Sequence, residues 1–246
     1  MGPTITPTFT HSVGTAAQRQ ELVNTVEFMT STYMPEFAWS TVNLQIHLTR
    51  AAGRGTGEGH IAAQVGVDHS TGERYINLRA PVTISLTVGG RGEFNMERTQ
   101  LALIHETLHL LQHASGAMCF MGRRQAWNAT KGAALTHRVH AEHRGTFTTD
   151  APTEFTGGEK TIIRRPQVQG DRRTYCRMPS ERQAFRLTST VAETMGMPQV
   201  ARQARVFARQ MMTMGAEPKQ AQAGKQGGRW QVTMTGRDGK TRTVKF

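Results

Sequence analysis

Apolar residues recur at helical spacing from about Thr15 to Met34. Leu22, Val26 and Met29 share one face, Phe28 lies at its edge, and Pro35 stops the run. The period then changes. In Thr41–Thr49, TVNLQIHLT, the residues Val42, Leu44, Ile46 and Leu48 alternate with Asn43, Gln45 and His47, the pattern of a half-buried strand. Ile61–Val67 and Arg74–Leu78 predict two strands about a turn at His69-Ser70-Thr71-Gly72, and Val82–Val88, VTISLTV, predicts another. Arg50–Gly59, RAAGRGTGEG, reads as a hairpin tip or flap, and it lacks the G-K-[ST] ending of a phosphate loop. Gly89, Gly90 and Gly92 lead into Leu101–His113, LALIHETLHLLQH, with Asn95 as N-cap, Glu97 in the first turn and Gly116 at the end. This helix is apolar on most sides and therefore predicted to be buried; its polar stripe carries His105, His109, Gln112 and His113.

Beyond Gly116 the chain reads as polar and irregular. Gln125–His143 has helical segments and a cluster of His137, His140, Glu142 and His143, and Thr146–Gly170 is loop-rich. Ser180 with Gln183 predicts a capping box beside Pro179, opening a helix that runs to about Met195. Gln199–Met214 predicts a further helix, with Val200, Val206 or Phe207, Met211 and Met214 as its seam. In Arg229–Phe246, two alternating runs flank Asp238-Gly239, a hairpin signal. The organisation read from this is a flexible lead-in over 1–14, a main domain over 15–215, a linker over 216–228 and a C-terminal β-hairpin over 229–246.

His105-Glu106-Thr107-Leu108-His109 is an H-E-x-x-H pattern. Residues four apart on a helix share a face, so His105 and His109 can offer two nitrogens to one zinc ion, with Glu106 beside them to take a proton from a zinc-bound water. A third ligand must come from elsewhere. On the helix after Pro179, Glu181 falls on the small, apolar face with Ala184, Thr188, Val191 and Met195, and a buried carboxylate needs a partner. Glu142, Asp150, Glu154, Glu159 and Glu193 are the other acids considered, and the His137–His143 cluster is an alternative source. Tyr175, just upstream, is a candidate donor to an oxyanion.

These motifs resemble the zincin metallopeptidases, in which the two His bind zinc and the Glu is the general base. Gln112 and Ser115 stand where the metzincin pattern has Gly and His. The segment E-R-Q-A-F from Glu181 is similar to the E-x-x-A pattern of small gluzincin-like peptidases, where a Glu on a later helix is the third ligand. The resemblance implies an α+β fold: a small twisted, mostly antiparallel sheet packed on the active-site helix, a helical C-terminal part, and an edge strand to which an extended peptide can pair. It also implies Zn2+ as cofactor and peptide-bond hydrolysis of a protein or peptide substrate.

Composition changes this picture in one respect. The net charge of +12 favours a polyanion or nucleic acid as a further partner, although the excess is scattered and no named nucleic-acid motif accompanies it. That charge keeps open a basic, nucleic-acid-associated protease resembling the SprT-like type, with a third His from His137–His143. A non-catalytic zinc-containing binding or structural protein is the other alternative. Two cysteines, Cys119 and Cys176, make no disulfide framework, and neither a signal peptide nor a membrane-spanning run is visible. The expectation is therefore no membrane partner and a cytoplasmic protein by default, with delivery as an effector or association with a virion as alternatives.

Overall fold

In the computed structural model, which describes residues 4–9, 13–50, 58–63, 65–67, 74–76, 78, 80–88, 94–121, 124–146, 160–164, 172–214, 221–226, 229–235 and 241–245, the chain opens with β1 (Thr4–Phe9) and α1 (Ala16–Tyr33). Thr15 caps α1 in a reciprocal box with Gln18, and Leu22, Val26 and Met29 are fully buried, as their spacing predicts. A 3-10 turn at Trp39–Thr41 leads to β2 (Asn43–Arg50). There follow β3 (Glu58–Ala63), β4 (Val65–Val67), β5 (Arg74–Ile76) and β6 (Val82–Val88).

The first sheet has the order β1-β2-β6-β3. Leu44, Ile46 and Leu48 of β2 register with Val82, Ile84 and Leu86 of β6, and all six are buried on one face. Here the expectation of a mostly antiparallel sheet is corrected. β1–β2 and β2–β6 pair in parallel, and β3–β6 alone is antiparallel. Parallel neighbours need long connections, and α1 supplies one between β1 and β2. The lead-in over 1–14 thus contributes an edge strand. β2 and β3, which flank the Gly-rich stretch, are separated by β6 and form no hairpin; residues 51–57 themselves lie outside the described residues.

The motif helix α2 (Met96–Ala114) packs against β3 and β6, against α1, and against three later helices. Asn95 accepts from the Arg98 N–H, and Gly116, at φ +68°, carries the chain away from the helix end in the left-handed region that favours glycine. Leu103, Ile104, Leu108, Leu110 and Leu111 are fully buried, each contributing about 1.5–3 kcal/mol, which offsets the cost of burying a polar stripe beside them.

After α2 the chain is more regular than its sequence suggests. β7 (Met118–Met121), β8 (Arg124–Asn128), α3 (Ala129–His143) and β9 (Lys160–Arg164) follow, and β4-β5-β7-β8-β9 form a second, antiparallel sheet. The predicted strand at Ile61–Val67 is in fact shared between the two sheets. α4 (Arg172–Arg177) and α5 (Pro179–Thr194) come next, and α5 packs on both α2 and α3. α6 (Pro198–Met214) buries Val200, Ala201, Ala204 and Met211, whereas Val206 and Phe207, one of which was expected in the seam, are 51% and 42% exposed; Ala201 and Ala204 lie in the buried face instead. The expected linker contributes β10 (Ala221–Gln226), which pairs with the predicted hairpin of β11 (Arg229–Thr235) and β12 (Thr241–Lys245) in a third, antiparallel sheet. Among the described residues, no helix is long and apolar enough to cross a membrane. Cys119 lies on β7 and Cys176 on α4; both are buried and no disulfide joins them.

Candidate metal centre

Two helices build the site. From α2, His105 and His109 project from successive turns of one face; from the first turn of α5, Glu181 meets them. His105 Nε2, His109 Nε2 and Glu181 Oε2 form a triangle with all three sides 3.2 Å. All three residues are buried, and together they can hold a metal ion. Ligands on bonds of about 2.0–2.1 Å at tetrahedral angles stand roughly 3.3 Å apart, so the spacing of the triangle suits three donors to one ion. The donor set is two imidazoles and one carboxylate, which suits zinc and also other divalent transition metals.

The electrostatics agree with a cationic occupant. Burial by itself would lower the pKa of His109, but the Glu181 carboxylate, through charge and a hydrogen bond, outweighs it. The charge of Glu106 and a hydrogen bond donated by the ring to Gln112 add to the effect, raising His109 to about 9. Burial would raise Glu181; the charge of His109 and hydrogen bonds from both imidazoles hold its carboxyl far below the ordinary range. The cluster therefore attracts positive charge, as a proton or a metal ion.

The remaining predicted residues fall around this triangle. Glu106 is buried on α2, close enough for its charge to act on His109 and on Tyr175. Tyr175, on α4, lies close enough to Glu181 for that carboxylate's charge to act on its hydroxyl. Burial foremost, then the charges of Glu181 and Glu106, push its pKa well above the ordinary tyrosine value, so at neutral pH it stays protonated and a donor. His113 is buried a turn beyond His109 and is not in the metal group.

The His137–His143 cluster stands apart. His137 and His143 are exposed on α3, His143 Nε2 lies 3.7 Å from Glu193, and its Nδ1 is 3.2 Å from Thr194 Oγ1. His140 is held below its ordinary pKa by partial burial and by the charges of Arg144, His143 and His137. Of the other acids considered, Glu193 pairs with Arg205 and Glu142 lies on α3, while Asp150, Glu154 and Glu159 lie outside the described residues.

Three contributors escaped the sequence reading. Phe185, one turn after Glu181, lays its ring 4.4 Å from that of His105 and so limits the imidazole's tilt. Gln112 is fully buried and bonds His109 Nδ1 at 2.8 Å. Gln183 in turn bonds Gln112. The capping box expected from Ser180 and Gln183 does not form, because both side chains are used elsewhere: Ser180 Oγ donates to Gln125 on β8, and Gln183 reaches α3. The signal for Gln112 was its place in the polar stripe, one turn from His109. The local signal at Gln183 was its capping-box spacing from Ser180, which pointed to a different role.

The chain matches no protein-family model, no curated protein and no solved structure. What defines the site is therefore its own geometry: a buried His-His-Glu cluster that can hold a metal ion, flanked by a second carboxylate and a tyrosine.

Proposed function

We propose that the protein is a zinc-dependent metallopeptidase, similar to the gluzincin branch of the zincins, that hydrolyses peptide bonds in a protein or peptide substrate. The observation that carries this reading is the 3.2 Å triangle of His105, His109 and Glu181, with Glu106 next to His105 on the same helix. A bound zinc would supply a Lewis acid and bring the pKa of its water to about 7.

The chain's own residues do the rest. Glu106 accepts the proton of the attacking water and returns it to the leaving amine. His105 and His109 serve as neutral donors, and Glu181 supplies the one negative charge of the ligand set. Tyr175, protonated and already within the cluster, donates a hydrogen bond to the carbonyl oxygen as charge develops there. Two imidazoles and a carboxylate also suit divalent iron; the general base directly beside His105 favours hydrolysis.

Three converging ligands among the described residues, and not four, support an open site over a purely structural one. A SprT-like third His loses support, since His143 faces Glu193 and Thr194. The charge of +12 still supports an additional contact with a polyanion such as nucleic acid.

The test is zinc per chain by plasma mass spectrometry, on wild type and Glu181→Ala purified side by side. About one zinc per wild-type chain, with weaker retention in the variant, is expected. A wild type that takes up no zinc on reconstitution, or prefers iron, overturns the reading.

A further inference from the structure

One buried side chain touches both ligand-bearing helices. Gln112 Oε1 lies 2.8 Å from His109 Nδ1, while its Nε2 donates to the Ser180 carbonyl at 3.0 Å and to Gln183 Oε1 at 2.9 Å. Gln183 Nε2 then donates to the Gly132 carbonyl at 2.5 Å and to Thr136 Oγ1 at 2.8 Å. Backbone carbonyls set the direction of the whole chain. A carbonyl only accepts, so each amide must present its nitrogen to the carbonyl and its oxygen to the next group. Gln183 must therefore offer its oxygen to Gln112, and Gln112 must offer its oxygen to His109. The hydrogen of a neutral His109 is thereby placed on Nδ1, and the lone pair on Nε2 is left facing the triangle.

The same amide holds the Ser180 carbonyl, one residue before Glu181. It thus fixes the third ligand's backbone relative to the second ligand's ring. The Gln112 amide is fully buried, where leaving such a group without partners is costly, and Gln183 is half-buried beside it. The first turn of α5 has no side-chain N-cap, and the Gln112 amide ties it to α2 through the Ser180 carbonyl.

We propose that Gln112 and Gln183 are positioning residues: they hold His109 in its Nδ1–H tautomer and lock the first turn of α5 to α2, so that the ligand triangle exists before an ion arrives. Its purpose rests on the metal reading above, while its geometry does not. Hydrogen-bond partners of metal-bound histidines are commonly worth about 10- to 100-fold in metal affinity.

The test compares wild type with Gln112→Leu, which keeps the volume and removes the amide, and with Gln183→Leu. Two quantities are read. The first is zinc affinity by competition with a chromophoric chelator, with circular dichroism as a check on folding. The second is the tautomer of His109, from ring 15N shifts of the metal-free, histidine-labelled protein at a pH where the imidazole is neutral. We expect a loss of affinity on the order of 10- to 100-fold in Gln112→Leu, and a smaller loss in Gln183→Leu, where Gln112 keeps the Ser180 carbonyl. His109 should be Nδ1–H in wild type and mixed in Gln112→Leu. An Nε2–H tautomer in wild type overturns the proposal, as does an unchanged tautomer and affinity in both variants. If Gln112→Leu does not fold, Gln183→Leu decides alone. A wild type that binds no zinc removes the proposed function, and the tautomer still accepts or rejects the relay.

Discussion

His109 Nε2 and Glu181 Oε2 lie 3.2 Å apart across 72 residues of chain. They are both partners in an ion pair and, with His105, two corners of a ligand triangle. The two roles depend on pH in opposite directions. His109 in the metal-free protein is raised to about 9, against an ordinary value of 6.5. A raised folded pKa means that the pair stabilises fully below about 6.5, and that this contribution is lost as pH rises through about 9. Metal binding needs the bare nitrogen, so its apparent affinity should climb over the same range, by about tenfold per unit from this group. Thermal midpoints of the metal-free protein between pH 6 and 10, referenced to His109→Gln, should fall with pH, while chelator competition should show zinc binding tightening. A flat profile in both would refute the coupling.

Glu106→Gln separates catalysis from metal binding. Glu106 is not a member of the triangle, so the variant should retain zinc at the wild-type level. Peptide hydrolysis should drop about 100- to 10,000-fold, the usual contribution of a general base. Zinc content and turnover are measured on the same preparation. Full activity in the variant would remove Glu106 from the mechanism.

Gly132→Ala should destabilise the protein. Inside a helix this change ordinarily gains about 1 kcal/mol. Here a Cβ on Gly132 would overlap the buried Trp127 ring, and relieving such overpacking costs about 1–3 kcal/mol. Because the Gly132 carbonyl also holds Gln183, zinc affinity should fall with it. Urea unfolding reads the first effect, and a midpoint at or above wild type would contradict the packing argument.

Arg138 ties α3 to the end of α1. Its buried guanidinium donates to the Tyr33 carbonyl at 2.9 Å and to both oxygens of Glu36, at 2.7 and 2.9 Å. Glu36 is partly exposed, so its charge is screened and Glu36→Gln should cost less than about 1 kcal/mol. Arg138→Met takes the donor from a buried carbonyl and should cost about 1–3 kcal/mol. Denaturant midpoints of the two variants should differ in that order, and the reverse order would show that the ion pair dominates.

The sequence by itself determined the elements whose patterns are local. A 3.6-residue stripe places Leu22, Val26 and Met29 on one buried face, and strict alternation makes strands of Asn43–Arg50 and Val82–Val88. The cap at Asn95 and the i, i+4 pair of His105 and His109 are local as well. Glu181 was legible for a related reason: a carboxylate on an otherwise small, apolar helix face requires a partner.

What only the tertiary structure decided depends on contacts between distant segments. Strand direction in the first sheet follows from how α1 and the intervening strands connect it, and periodicity carries no sign for that. The short strands Met118–Met121, Arg124–Asn128 and Lys160–Arg164 have too few residues to display alternation, and cross-strand pairing defines them. Ser180 and Gln183 have the spacing of a capping box, yet Gln125, Gly132 and Gln112 are stronger partners once packing brings them near. A side chain's hydrogen bonds are settled by the donors and acceptors that the fold delivers to it. The sequence could therefore name the three residues that together can hold a metal ion, while the hydrogen-bond network around them exists only once α2, α3 and α5 have packed together.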